Sequence, residues 1–243
     1  MNQSRPQLFG MLAGLFLAAG LVLSSMLATT TWLRVKNSQF VTVKGSVQTN
    51  VESDLILWSG GYSVEGATLL EAQHRIQAGR SIVEKFLREA DVTNFVFAPV
   101  SIDELKESKK TEDGWLAQRL TGYRLGQTVS VHSADVDRLD KLDTTPLLEQ
   151  GVLFTVSPPQ FLYTGANAAK IAMLAEATTD ARTRADRIAA RGGRAIACLH
   201  DADQGVFQIT PEHSAATSWQ GENDTTSRRK TITAVVTATF LLK

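Results

Sequence analysis

From Leu8 to Leu33 the chain carries no charged residue: LFGMLAGLFLAAGLVLSSMLATTTWL. A helix needs about 20 consecutive apolar residues to cross the hydrocarbon core of a bilayer, and this stretch is long enough. Trp32 falls where aromatic side chains favour the interface. A secretory signal has an apolar region of about 7–15 residues ending in a small-x-small site. Here the run is longer, and at Met26-Leu27-Ala28 a large residue stands where a small one is wanted. The segment therefore reads as an uncleaved signal anchor, residues 1–36 with short flanks, contacting the membrane through residues 8–33. Arg5 precedes it while Arg34, Lys36 and Lys44 follow it. This charge bias does not decide which side the C-terminal part occupies.

The remaining chain, residues 40–243, is expected to be one soluble domain riding close to the bilayer. About seven residues between Leu33 and Val41 span at most ~25 Å. Phe40–Lys44 alternates as a strand, and Val51–Val64 is apolar on both faces, with Gly60-Gly61 marking a bulge or turn. Gly66–Ala90 has helical periodicity. Phe95–Lys106 reads as a strand, ESKKTEDG as a turn and Ala117–His132 as a long strand whose inward set is Tyr123, Leu125, Gln127, Val129 and Val131. Asp135–Gln150 is a second helix interrupted at Pro146. Leu153–Val156 and Phe161–Tyr163 flank Ser157-Pro158-Pro159 as one broken strand. Strands at Arg194–His200, Gly205–Thr210 and Thr231–Leu242 complete the chain. Helices inserted between long strands in this order define an α+β fold with a largely antiparallel sheet and three main helices.

Lys170–Gly193 is the longest helical signal of that domain. Leu174, Thr178, Ala181, Ala185 and Ile188 recur at steps of four and three and are expected to pack inward. Gly192-Gly193 stops the helix. Asp180, Arg184, Arg187, Arg191 and Arg194 form a second stripe, with Asp180–Arg184 and Arg182–Asp186 spaced for ion pairs. Guanidinium forks in such a row suit carboxylate or phosphate surfaces, so Arg184, Arg187, Arg191 and Arg194 are candidate interaction residues, though a solvated face is the expected state. Pro211–Ser227 is a polar hairpin tip carrying Trp219, a second candidate contact. The sole cysteine, Cys198, lies in the apolar run Ala195–Leu199 and is expected to be buried; it excludes an internal disulfide.

No motif for nucleotide phosphate, a hydrolase nucleophile or a zinc centre occurs, and His74, His132, His200 and His213 are scattered. Cys198, His200, Asp201 and Asp203 are an incomplete ligand set, so no metal, cofactor or catalytic residue is assigned. The 25 basic and 25 acidic residues balance, which argues against a nucleic-acid partner.

Four segments in sequence resemble the SIMPL-domain family, also catalogued as a domain of unknown function. They are VTVKGSV near residue 41, LTGYRLGQTVSV at Leu120–Val131, ATTDARTRADRIAARGG at Ala177–Gly193, and GVFQITP followed by DTTSRRKTITAVVTATFLL. One departure is Ser53-Asp54, where many members carry Pro-Asp. The resemblance implies a SIMPL-type domain over residues 40–243, exported and envelope-associated in bacteria, with no established enzymatic activity. It implies self-assembly, seen in some members, and places the domain on the extracytoplasmic, periplasmic side of the inner membrane. The expected function is a non-catalytic, membrane-anchored scaffold or interaction module, a homo-oligomer with an unknown protein partner. The alternatives are an anion- or ligand-binding adaptor using the arginine face, or an unrecognised hydrolase.

Overall fold

The computed structural model describes residues 6–37, 39–110, 116–214 and 218–243. Its elements follow in the order α1 (Pro6–Asn37), β1 (Phe40–Glu52), β2 (Leu55–Gly66), α2 (Leu69–Glu89), β3 (Phe95–Phe97), β4 (Ser101–Lys110) and β5 (Leu116–Ser133). Then come α3 (Val136–Asp140), α4 (Thr145–Glu149), β6 (Phe154–Val156), β7 (Gln160–Leu162), α5 (Ala166–Arg191), β8 (Ile196–Gln204), β9 (Gln208–Pro211) and β10 (Arg229–Leu242). The mixed α+β architecture with antiparallel pairing agrees with the sequence reading. The chain divides into two compact units. One comprises Met1–Ser46, Leu174–Gly205 and Val235–Lys243; the other comprises Val47–Met173 and Val206–Ala234.

In the larger unit β2 is central, pairing β5 along one edge and β6 and β7 along the other. Both β3 and β4 pair with β5, so the single strand expected over residues 95–106 is broken at residues 98–100, beside Pro99. The expected turn ESKKTEDG begins inside β4, and its remainder, from residue 111, lies outside the described residues. Alternation on β5 is as expected: Leu125, Gln127, Val129 and Val131 are buried. Leu125, Val129 and Val131 meet Ile56, Trp58 and Tyr62 of β2 and Ile76, Val83 and Leu87 of α2 in one core. Thr68 caps α2 by accepting from Glu71 N at 3.3 Å, while Glu71 Oε2 accepts from Ala67 N at 3.1 Å.

The bulge or turn expected at Gly60-Gly61 is not formed: β2 keeps regular register with β5 through both residues. Gly60 instead leaves room for an aromatic ring. A Cβ there would overlap Phe154, whose ring stacks 5.8 Å from Trp58 and 6.4 Å from Tyr62. The interruption falls earlier, at Ser53-Asp54, where Ser53 N donates to Arg228 O and Asp54 N to Leu162 O. The expected helix Asp135–Gln150 is two single turns, with Pro146 in the first turn of α4.

Buried Tyr62 donates to Gln127 Oε1 at 2.9 Å, and Gln127 Nε2 donates to Ala98 O at 2.9 Å. Burial, opposed by the nearby Arg80 charge, pushes the Tyr62 phenol up to about 12. Tyr62→Phe strands a buried amide oxygen and is expected to cost about 2 kcal/mol, measured by urea unfolding. An unchanged midpoint would show that the amide finds another donor.

In the smaller unit, α5 buries Ala177, Ala181, Ala185 and Ala189, a line at strict spacing of four, together with Val43, Val236, Ala238 and Phe240. Ala181 and Ala185 of the expected inward stripe are buried as expected, and its other three members are corrected. Leu174 and Thr178 are half-buried and Ile188 is 54% exposed. The shift follows from close approach: a Cβ on Gly45 would overlap the Ala177 carbonyl oxygen and lie 2.5 Å from Ala181 N. Only the alanine line fits at that distance, and bulkier Leu174 and Ile188 turn aside. Cys198 is exposed, contrary to expectation, because β8 is an edge strand that pairs, among the described residues, with β10 alone and is exposed on both faces.

Candidate functional site

The arginine stripe lies along α5 in the smaller unit. Arg184, Arg187 and Arg191 are exposed on the helix. Arg194 follows the helix end, where Gly193 takes φ +68 and Arg194 N donates to Ala189 O at 2.9 Å. Arg184 Nε lies 2.8 Å from Asp180 Oδ2, as the four-residue spacing requires. Asp180 Oδ2 also accepts from Ser46 N at 2.9 Å. That backbone donor first, and Arg184 second, hold the Asp180 carboxyl below the usual carboxylate range. Arg191 and Arg194 form no ion pair among the described residues, and the expected Arg182–Asp186 pair is not formed.

Trp219 belongs to the larger unit and is 84% exposed, on a turn that ends at Gly221, φ +92. Residues 215–217 lie outside the described residues, but the rest of this hairpin is stitched to β9 rather than free. Gln208 Nε2 donates to Ser218 O at 2.6 Å, and Gln208 Oε1 accepts from Ser218 N at 3.2 Å and Glu222 N at 2.9 Å. Ile209 N donates to Glu222 O, and Asp224 N to Ile209 O, both at 2.8 Å.

Beside this hairpin lies a cavity of about 390 Å³. Its walls include Leu55, Leu162, Tyr163, Ala166, Phe207 and Ile209, and its charged groups are Lys170, Glu222, Asp224 and Lys230. Trp219 is not in its lining. The sequence reading missed this site, yet a signal was present. Along β10, Lys230 has the parity of the buried Ile232, Ala234, Val236, Ala238 and Phe240, so it must point inward. It is 1% exposed and forms an ion pair with Asp224 at 3.1 Å. Burial raises the Asp224 carboxyl, but hydrogen bonds from Thr226, Lys230 and Ser227 outweigh it and carry the group down to about 2.

Among the described residues no three His, Cys, Asp or Glu side chains are grouped to hold a metal ion. His200 instead packs its ring 4.7 Å from that of Phe40. On α1, Met11–Trp32 is long and apolar enough to cross a membrane and is wholly exposed. It marks the chain as one with an N-terminal hydrophobic helix, either a secretion signal or a membrane anchor, ahead of an antiparallel α+β domain. The chain belongs to the SIMPL family, described as protein of unknown function (DUF541), whose family model matches residues 41–240. No curated protein matches the chain.

Proposed function

We propose that the protein is a non-catalytic, membrane-anchored envelope protein, a scaffold or interaction module that self-assembles on the periplasmic side of the inner membrane. The observation that carries this reading is the unpaired apolar surface of Met11–Trp32, continued by a helix ending at Asn37, with only two residues between it and the start of β1 at Phe40. So short a connection would hold neighbouring copies at one height above a bilayer, which raises their effective concentration for each other.

The test has two parts. Alkaline carbonate should leave the full-length protein in the membrane pellet with an intact N-terminus, and sizing in mild detergent should give an oligomer. A processed N-terminus beyond Trp32 overturns the anchor, and a monomer at micromolar concentration overturns self-assembly.

A second reading, an anion-binding adaptor, is favoured by the exposed guanidinium groups of Arg187 and Arg191. The triple change of Arg184, Arg187 and Arg191 to Gln is expected to move stability by no more than about 0.5 kcal/mol, since exposed charges contribute little. If it leaves assembly and partner capture intact, the arginine face serves solubility alone.

A further inference from the structure

The charged groups around the 390 Å³ cavity are not all spent on one another. Asp224 is saturated. Its Oδ1 accepts from Thr226 N at 2.9 Å and Thr226 Oγ1 at 2.7 Å, and its Oδ2 from Ser227 N and Lys230 Nζ, both at 3.1 Å. The Lys230 ammonium has three N–H donors. One goes to the Asp224 carbonyl oxygen at 2.5 Å and one to Oδ2, while the third has no partner among the described residues. In a side chain 1% exposed, an unmet charged donor is costly and calls for an acceptor from within the cavity. Lys170 is half-buried, sits 5.6 Å from the centre of the Phe207 ring and makes no ion pair among the described residues. Glu222 is half-buried too, and its carboxylate has neither a hydrogen bond nor an ion pair there.

The cavity thus offers two ammonium donors and one free carboxylate against apolar walls. A simple anion would meet Glu222, and a simple cation would meet Lys170 and Lys230. We propose that this cavity binds a small zwitterion of the α-amino-acid type with an apolar side chain. Lys230 and Lys170 take the ligand carboxylate, Glu222 takes its ammonium, and the side chain lies against Leu162, Phe207 and Ile209. The volume lies in the range of about 300–1,000 Å³ usual for small-molecule sites. This ligand site is independent of the scaffold reading and can stand or fall without it.

Titration calorimetry on the full-length protein in mild detergent tests it with three probes that share one isobutyl body. These are L-leucine, 4-methylpentanoate (leucine without its amine) and 3-methylbutylamine (leucine without its carboxylate). Leucine is expected to bind saturably, and each half-analogue about tenfold or more weaker, because each loses one charge-assisted contact. Lys170→Gln should weaken leucine and 4-methylpentanoate about tenfold while leaving the amine unchanged. Glu222→Gln should weaken leucine and the amine while leaving the acid unchanged. Both variants should melt with the parent protein, and a merely structural role for either residue would not split the probes by charge. No saturable heat with leucine overturns the proposal. So does 4-methylpentanoate binding as tightly as leucine, which would make the cavity an anion site. The probe series on the unaltered protein decides the matter even if a variant fails to fold.

Discussion

Gly45→Ala is expected to destabilise the protein by about 3 kcal/mol, at the upper end of what overpacking costs. The new methyl would overlap the Ala177 carbonyl oxygen, lie 2.5 Å from Ala181 N and lie 2.8 Å from Ala181 Cβ. Two of these three neighbours are helix backbone, which cannot swing aside as a side chain can. Either β1 moves off α5, opening gaps along Ala177–Ala181–Ala185, or the helix unwinds locally. Urea unfolding of the full-length protein in detergent measures the loss. Adding Ala181→Gly to the variant separates the causes. If backbone overlap dominates, the second change restores little; recovery of most of the lost stability would mean that the methyl–methyl contact was the true obstacle.

This contact also explains why the opening and the long helix of the chain could be read together. In VTVKGSV the glycine is the one residue whose missing side chain lets the strand approach the helix, and in ATTDARTRADRIAARGG every fourth residue from Ala177 to Ala189 is the smallest that still favours a helix. Period and composition therefore announced a helix built for close packing. They did not announce its phase. A stripe drawn through Leu174 and Ile188 obeys the same 3.6-residue period, and hydrophobicity alone prefers it. The choice falls to distance, which Gly45 sets from far away in sequence and which no local pattern carries.

The strands show the same division. Alternation gave the inward face of β5 residue by residue, because each side chain's direction is fixed by parity. A glycine within a strand serves a bulge and a neighbouring ring equally well, and the ring of Phe154 that decides between them at Gly60 arrives from a strand about ninety residues later. At Cys198 the converse holds. Its apolar neighbours imply a buried strand, but β8 is a sheet edge, and edge position is a property of the topology rather than of the run. The cavity around Lys230 draws on β2, β7, α5, β9 and the hairpin before β10, so its walls are invisible one segment at a time.

Asp224→Ala is expected to cost about 4 kcal/mol near neutral pH, while Lys230→Met costs less, about 1.5–3 kcal/mol, the worth of hydrogen bonds to a charged group. The asymmetry comes from what each deletion leaves behind. Without the Asp224 carboxylate, Lys230 remains a charged group 1% exposed with a single carbonyl acceptor, and the N–H groups of Thr226 and Ser227 lose theirs. Without Lys230, the carboxylate keeps Thr226 N, Thr226 Oγ1 and Ser227 N, and methionine fills the lysine stem's volume with no charge to solvate. Acid sharpens the test. The Asp224 carboxyl lies at about 2 when folded against 3.8 for the ordinary group. A lowered value means that its stabilisation is complete above 3.8 and is lost as pH falls from there through 2. That shift corresponds to about 2 kcal/mol. The gap between the parent protein and Asp224→Ala should therefore narrow by about that amount between neutral pH and pH 2, whereas the penalty of Gly45→Ala should stay constant. Equal losses for Asp224→Ala and Lys230→Met, or a pH-independent Asp224→Ala penalty, would show that the pair stabilises through packing rather than charge.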